Sequence, residues 1–274
     1  METVWNQVKG DIEVSDFFLS GYSLGGTQSA FVAKLDEERK VFNFRKVLLI
    51  NPAVSLYDSV SRIEGTLDKI PGGPKQATKF VNSVLDRFTE FYAHGKFVAF
   101  NENFLYALAT SNLFSQEDAG GLIGASFRIA SAGMIFSSDV MTNGGYVVPK
   151  NRVLSTSDDL SDYLRVSAHL SFIDYFNEYF YPYFQKKRPG LTKEMLIASL
   201  SIKNIEPYLK SSRKFGVITN ENDFILSSED IAYLKQLFGD QTKIYPRGGH
   251  LGNLEYKDNL AYTIDFFKQP GGAQ

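Results

Sequence analysis

Apolar runs and amphipathic stretches alternate at the start of the chain. An apolar run at 17–19 lies in a strand predicted over residues 16–21, and the continuous apolar run at 47–50 is typical of a strand buried on both faces. The spacing between them predicts a helix over residues 26–38, and a short helix is predicted over residues 2–10. A strand, a helix and a second strand in this order are typical of a right-handed crossover unit in a parallel sheet.

The same order of elements returns near the end of the chain. A strand is predicted at 215–219, followed by a helix with Ser227 or Ser228 as its N-cap and Gly239 as its stop, and then by a strand in "QTKIYPRGGH". A last amphipathic helix is predicted in "LEYKDNLAYTIDFFKQ". Its apolar positions fall near one helical face: Leu254, Leu260, Ile264 and Phe267.

The middle of the chain, residues 55–213, has a different character. Its long segments are helical by period, with glycine- and proline-containing breaks at "PGGPK", "AGGLIG", "TNGGYVVPKN" and "KKRPG". We therefore predict an α/β protein with a discontinuous core, residues 1–54 and 214–274, and a mainly helical insertion over 55–213.

Composition excludes several classes of function. A net charge of -2 without a basic stripe argues against a nucleic-acid-binding surface. The absence of cysteine excludes disulfides, thiolate metal sites and a cysteine nucleophile. We see neither a secretory signal in the chain as given nor an apolar run long enough to span a membrane, so we expect no transmembrane segment. The sequence leaves the compartment open.

No cofactor or metal site is expected. The motif "GYSLGG" lacks the lysine of a phosphate-binding loop and the glycine spacing of a dinucleotide-binding turn. Three carboxylates lie close together, at Asp158, Asp159 and Asp162, but acidic residues favour the first turn of a helix, and we interpret them as a solvated helix start.

One serine is enclosed by glycines directly after the first predicted strand. The order is Gly21-Tyr22-Ser23-Leu24-Gly25, and a helix is predicted to follow. A glycine-x-serine-x-glycine turn between strand and helix lifts the serine hydroxyl clear of the sheet, in a strained conformation that needs small neighbours. The Leu24 N–H and the helix N-terminus would then face an oxyanion formed beside Ser23.

A serine nucleophile needs a base and an acid that orients the base. Among three histidines, His250 follows a predicted strand within a glycine turn, whereas His94 and His169 lie in the helical insertion and are interpreted as ordinary structural histidines. For the acid, Asp223 lies in the turn after the preceding strand. Glu221 in the same turn and Asp58 are alternatives.

Three segments, "GYSLGG", "ITNENDFILS" and "GGHLGN", resemble the catalytic segments of the α/β-hydrolase superfamily in their order along the chain. The resemblance covers residues 1–54 and 214–268. It implies that Ser23 is the nucleophile, His250 the general base and Asp223 the orienting acid, and that the insertion corresponds to the lid or cap of lipases and esterases.

The sequence departs from that superfamily at its beginning. Members have several strands and an oxyanion loop before the nucleophile, whereas about twenty residues precede Ser23 here. The strand at 16–21 would then form an exposed apolar edge, which favours self-association. We therefore expect a fragment of a longer precursor, or strands supplied by another chain, and weak or no esterase activity of the isolated chain.

The sequence as a whole predicts a serine hydrolase that cleaves a carboxylic ester, with a lipid or other acyl substrate among the candidates. The aromatic stretches "FIDYFNEYFYPYF" and "RFTEFYAHGKFVAF" fit either an apolar lining for an acyl chain or the core of stacked helices. The alternative function is an inactive scaffold that binds a partner or an apolar ligand. Peptidase, thioesterase and acyltransferase chemistry use the same three groups and stay open.

Overall fold

The computed structural model describes residues 1–94, 111 and 113–269. The chain divides into two compact units, the first formed by residues 1–59 and 192–274 and the second by residues 60–191. The division of the sequence into a core of 1–54 and 214–274 and a cap of 55–213 stays a prediction.

Helices predominate over strands in the described residues. In chain order the elements are α1 (Glu2–Val8), β1 (Phe18–Tyr22), α2 (Leu24–Arg39), β2 (Lys46–Ile50), α3 (Leu56–Gly65), α4 (Ala77–His94), α5 (Gln116–Thr142), α6 (Ser161–His169), α7 (Phe172–Tyr175), α8 (Tyr181–Lys187), α9 (Lys193–Ser199), α10 (Glu206–Ser211), β3 (Phe215–Asn220), α11 (Ser228–Phe238), β4 (Thr242–Tyr245) and α12 (Lys257–Lys268). A π-helical turn, Phe176–Phe180, joins α7 to α8.

The first unit is built on a four-stranded sheet with the order β1-β2-β3-β4, in which every neighbouring pair is parallel. In register, Tyr22 lies opposite Ile50, and Ile50 opposite Ile218. The predicted α/β class, with a parallel sheet flanked by helices, is confirmed. Because all four strands run the same way, the turns that follow them meet at one edge of the sheet.

Both faces of the central strands are covered by helices. All five residues of β2 are buried, as the continuous apolar run predicts. On one face, Leu48 and Ile218 pack with Phe266 of α12. On the other, Phe215 contacts Phe238 of α11, with 6.2 Å between the ring centroids.

The packing of helix α12 follows the expectation drawn from its apolar positions only in part, since Leu254 and Phe267 pack against the core but Leu260 and Ile264 do not. The side chain buried against the sheet is Phe266, at 1% exposure, whereas Leu260 and Ile264 are 48% and 52% exposed. The sequence shows an amphipathic helix, but the Phe266 ring occupies the space over Gly216 of β3, where a Cβ atom would lie 2.4 Å from the ring.

Strand β1 forms one edge of the sheet. Its residues alternate between exposed and partly buried, and Phe18 and Tyr22 are 42% and 60% exposed. It carries no charged residue and no proline, the features that usually protect an edge from pairing with another chain. Self-association through β1 stays a prediction.

Hydrogen bonds join the chain just after β2 to the chain just after α9. Val54 O accepts the Ile202 N–H at 2.9 Å and the Ser201 Oγ–H at 2.8 Å, and Leu200 O accepts the Leu56 N–H at 3.1 Å. The two ends of the intervening segment are therefore held side by side within the first unit.

In the second unit, α5 is continuous where the sequence predicts a break. The predicted break at 119–124 lies inside the helix Gln116–Thr142. A Cβ atom on Gly121 would lie 2.8 Å from the Phe80 ring, and one on Gly124 would lie 2.6 Å from Thr66 Oγ1. The glycines therefore allow neighbouring segments to approach α5 closely instead of ending the helix.

Helix α5 is long and apolar enough, by length and composition, to cross a membrane. The stretch is Asp118–Thr142, with a mean hydropathy of 1.4 over its most apolar window, and 33% of that window is buried. Core helices of globular proteins meet the same test, so the absence of a transmembrane segment stays a prediction.

The aromatic stretch at 172–184 forms close ring pairs within the second unit. Phe176 lies 5.8 Å from Phe180, which lies 4.9 Å from Phe184, measured between ring centroids. Phe176 is buried. These contacts agree with the interpretation as helix packing. The other stretch, 87–100, extends beyond the described residues at 95–100.

A buried carboxylate, Asp139, holds the loop that follows α5. Its Oδ1 accepts the Tyr146 N–H and the Tyr179 hydroxyl, and its Oδ2 accepts the N–H groups of Val147 and Val148, all at 2.7 to 3.0 Å. Burial raises the pKa of the Asp139 carboxyl, but the four hydrogen bonds, led by that from Val148, outweigh burial and hold the pKa below its ordinary value.

We expect Asp139→Asn to lower the free energy of unfolding by about 2 kcal/mol at pH 7, because the amide presents an NH₂ group to two of the four donors. The carboxylate stabilises the fold above its unfolded pKa of about 4, and this contribution is lost as the pH falls through the lower folded pKa. Urea unfolding of both proteins between pH 7 and 3 measures the difference, which should shrink toward pH 3. The exposed carboxylate Asp162, replaced by asparagine, is the control; a pH-independent difference would contradict the expectation.

Candidate active site

The turn between β1 and α2 puts Ser23 in a strained conformation. Its φ and ψ are 56° and −128°, a region that residues other than glycine rarely occupy. The Ser23 N–H donates to Ile50 O at 2.9 Å, and Ser23 O accepts the Gly26 N–H at 2.9 Å. The turn is thus held by β2 on one side and by the first turn of α2 on the other.

Gly21 and Gly25 flank the Ser23 turn in the sequence motif, but only Gly21 lies where a side chain would clash with its neighbours. A Cβ atom on Gly21 would lie 2.2 Å from Gly25 O, whereas a Cβ on Gly25 would meet nothing within 4 Å. Gly26 is the second tight position, since its Cβ would lie 3.1 Å from Gly21 O. The expectation that Gly25 must be small is therefore wrong, because there is room for a Cβ atom at this position.

His250 reaches Ser23 from the loop between β4 and α12. Its Nε2 lies 2.8 Å from Ser23 Oγ. Gly249 and Leu251 on either side both have positive φ, 55° and 69°. A leucine in this region is strained by about 1 kcal/mol or more, so packing and hydrogen bonds elsewhere must hold the loop.

Asp223 lies in the turn after β3, with its side chain completely buried. Its Oδ1 and Oδ2 are 3.1 and 3.0 Å from His250 Nδ1. Oδ1 also accepts the Ile225 N–H at 3.1 Å. The carboxylate therefore accepts a hydrogen bond from the imidazole, which fixes the proton of His250 on Nδ1 and leaves Nε2 to accept from the Ser23 hydroxyl.

A helix N-terminus and several apolar side chains lie around Ser23. The Leu24 N–H opens α2, where the helix N-terminus favours negative charge. Tyr22 and Leu24 on either side of Ser23 are 60% and 49% exposed. The Phe224 ring lies edge-on to the imidazole of His250, 5.6 Å between centroids. Apolar side chains thus flank the line of polar groups.

The alternative candidates for the acid and the base lie outside the hydrogen bonds that join Ser23, His250 and Asp223. Glu221 and Asp58 are exposed, and it is the Asp223 carboxylate that contacts His250. His94 and His169 each place Nδ1 within 2.8 Å of the carbonyl oxygen four residues earlier in their own helix.

The carboxylates of Asp158, Asp159 and Asp162 lie around the start of α6. Asp162 lies in the first turn of α6. Asp159 accepts the Ser161 N–H, and Asp158 pairs with Arg152. Within the described ranges, no group of three or more His, Cys, Asp or Glu side chains is arranged to hold a metal.

Sequence reasoning missed a set of asparagines that hold the His250 loop. Asn220 Nδ2 donates to Gly249 O at 2.7 Å, and Asn222 Oδ1 accepts the Gly249 N–H at 2.8 Å. Asn253 Nδ2 donates to Asn220 Oδ1 at 2.6 Å. A signal was present, since these asparagines lie in the segments "ITNENDFILS" and "GGHLGN" that carry Asp223 and His250.

A fourth asparagine, Asn51, contacts the acid directly. Its Nδ2 donates to Asp223 Oδ2 at 2.8 Å. The sequence signal is a polar residue directly after the buried strand β2, at the edge of the sheet where the turns meet.

No protein-family model matches the chain, and no curated protein matches it. Among solved structures, the chain is similar to the crystal structure of a proline iminopeptidase from Mycobacterium smegmatis, with a TM-score of 0.37 and 15% identity over 96% of this chain and 67% of that chain. A TM-score of this size does not establish a common fold, so the functional case rests on the contacts around Ser23.

Proposed function

We propose that the protein is a serine hydrolase that cleaves a carboxylic ester through an acyl-enzyme intermediate. The observation that supports this most strongly is the continuous line of hydrogen bonds from Ser23 Oγ through the imidazole of His250 to the buried carboxylate of Asp223. The strained backbone of Ser23 at the start of α2 supports it further, because strain of this kind clusters at functional turns.

In the proposed reaction, Ser23 Oγ attacks the ester carbonyl carbon while His250 Nε2 takes the hydroxyl proton. Asp223 stabilises the imidazolium that forms, and the Leu24 N–H donates to the oxyanion. The bond to the leaving alcohol then breaks as the imidazolium returns the proton to the alcohol oxygen. Water, deprotonated by His250, attacks the acyl carbon; the acyl–Oγ bond then breaks as the imidazolium returns the proton to Ser23 Oγ, which releases the acid and free Ser23.

We favour an ester with an apolar acyl group as the substrate. Two large exposed side chains, Tyr22 and Leu24, lie on either side of the nucleophile and offer apolar contact to such a group. The same three groups also serve peptide and thioester cleavage and acyl transfer, so substrate panels should include these classes.

A second candidate function is a scaffold that binds an apolar ligand or a partner without turnover. The uncharged edge strand β1, with Phe18 and Tyr22 exposed, favours this candidate. A scaffold has no use for an activated serine, so measurement of serine reactivity separates the two functions.

We expect a fluorophosphonate probe to label the purified chain once, on Ser23, as located by peptide mass spectrometry. In this step the Ser23 Oγ–P bond forms, fluoride leaves and His250 accepts the proton. Labelling requires a single event, so it is expected even where ester turnover is slow. Ser23→Ala should abolish the label; a folded chain that stays unlabelled, or a label that persists in Ser23→Ala, would contradict the proposal.

A further inference from the structure

Asn51 occupies a position that the backbone fixes tightly. It follows β2 directly, is 2% exposed and has a φ of 45°, in the left-handed region that asparagine tolerates better than most residues. Its N–H donates to Ile218 O at 2.7 Å. The side chain is therefore presented from a rigid point at the end of β2.

The amide of Asn51 completes the hydrogen-bond partners of Asp223. Oδ1 of Asp223 accepts the Ile225 N–H, Oδ2 accepts Asn51 Nδ2, and both oxygens face His250 Nδ1. A buried carboxylate is costly unless donors surround it. In the part of the chain that the structure describes, the side chains that donate to Asp223 are Asn51 and the imidazole of His250.

We propose that Asn51 is a positioning residue for the reaction: its amide holds Asp223 in the orientation that receives the Nδ1–H of His250. This inference rests on the proposed hydrolase function. Asn51 acts through Asp223 and His250, and no contact with substrate is implied. The site requires the hydrogen bond that the Asn51 amide donates to Asp223, and the shape of the side chain is not sufficient.

Two substitutions separate donor chemistry from backbone tolerance. Asn51→Gly tolerates the positive φ of this position but removes the side-chain hydrogen-bond donor. Asn51→Asp keeps the shape and places a second carboxyl where the amide lay, 2.8 Å from Asp223 Oδ2. Two carboxylates this close cannot both ionise freely, so the pair retains one proton to higher pH. While it does, the O–H of the introduced carboxyl donates to Asp223 as the amide did.

The matched control is Asn43, an exposed asparagine that also has a positive φ, 53°. Its Nδ2 donates to Lys40 O at 3.5 Å. Asn43→Gly and Asn43→Asp therefore repeat the same changes of conformation and charge at a position away from Asp223.

The experiment measures the second-order rate constant of Ser23 labelling by a fluorophosphonate from pH 5 to 9, with urea unfolding to verify that each variant is folded. Asn51→Gly should label about tenfold to a hundredfold more slowly at every pH. Asn51→Asp should label near the wild-type rate at low pH and fall at least about tenfold behind it as the pair loses its shared proton at high pH. Both Asn43 variants should stay within about twofold of the wild type.

A folded Asn51→Asp variant whose labelling rate follows the wild type at every pH would overturn the proposal, as would an unaffected Asn51→Gly. If Asn51→Gly unfolds, the downfield proton resonance of His250 Nδ1–H in folded Asn51→Asp at low pH gives a second readout. That resonance should shift as the pH rises. A resonance that stays constant would contradict the role of Asn51 in orienting Asp223. Absence of labelling in the wild type would instead refute the hydrolase function.

Discussion

Replacing His250 with alanine is expected to slow fluorophosphonate labelling of Ser23 by about a thousandfold, within the range of general acid–base catalysis. The substitution removes the imidazole nitrogen that lies 2.8 Å from Ser23 Oγ and takes its proton. A serine hydroxyl alone is a weak nucleophile at neutral pH. The measurement is the second-order rate constant of labelling at pH 7, together with hydrolysis of p-nitrophenyl acetate.

The matched control is His169→Ala, which removes a histidine whose ring bonds to Arg165 O in its own helix. This variant should label at the wild-type rate within about twofold. Circular dichroism must show that His250→Ala retains its helices, since the His250 loop is strained. Equal labelling rates for folded His250→Ala and wild type would mean that Ser23 is not activated by the imidazole.

Gly21→Ala is expected to lower the free energy of unfolding by about 3 kcal/mol, the upper part of the range for overpacked sites. The new methyl group would lie 2.2 Å from Gly25 O and 2.4 Å from Gly25 C, which are backbone atoms at the start of α2. Relief of this overlap requires α2 to move away from β1. Such a shift would also carry Ser23 away from His250, so labelling should fall with stability.

Gly25→Ala is the matched control, because its methyl group would meet nothing within 4 Å. Alanine favours a helix by about 1 kcal/mol over glycine, so this variant should be as stable as the wild type or slightly more stable. Urea unfolding of the two variants side by side measures the contrast. Equal stability of Gly21→Ala and Gly25→Ala would show that the close approach of β1 and α2 is not required.

Much of the first unit follows from local sequence patterns. The strand predicted from the continuous apolar run at 47–50 and the strand predicted at 215–219 correspond to β2 and β3, each within one residue at either end. Ser227, one of two predicted N-caps, accepts the Asp230 N–H, as the short polar side chain before an amphipathic run suggests. In contrast, the glycines at 119–124 were misinterpreted, because only the packed structure shows which segments approach α5.

For the candidate site, chain order and turn chemistry were enough to predict Ser23 and His250, and they placed Asp223 first among three candidates for the acid. The sequence could not choose between Asp223 and Glu221, because residues two apart in a turn point in directions that only the fold determines. Asn51 lies 172 residues from Asp223 along the chain, and its contact arises from the parallel pairing of β2 with β3. Contacts of this kind depend on three-dimensional register, which local pattern does not encode.

The pairing of β2 with β3 also has a consequence for synthesis on the ribosome. Phe215 follows Ile50 by roughly 165 residues, so at typical elongation rates of about 5 to 20 residues per second β2 emerges on the order of ten seconds or more before its partner. During this time Val47, Leu48 and Leu49, fully buried in the finished protein, have one unpaired strand edge. Because β1 pairs with the opposite edge of β2, the edge that later receives β3 stays open to pairing with other strands until the ribosome has completed β3.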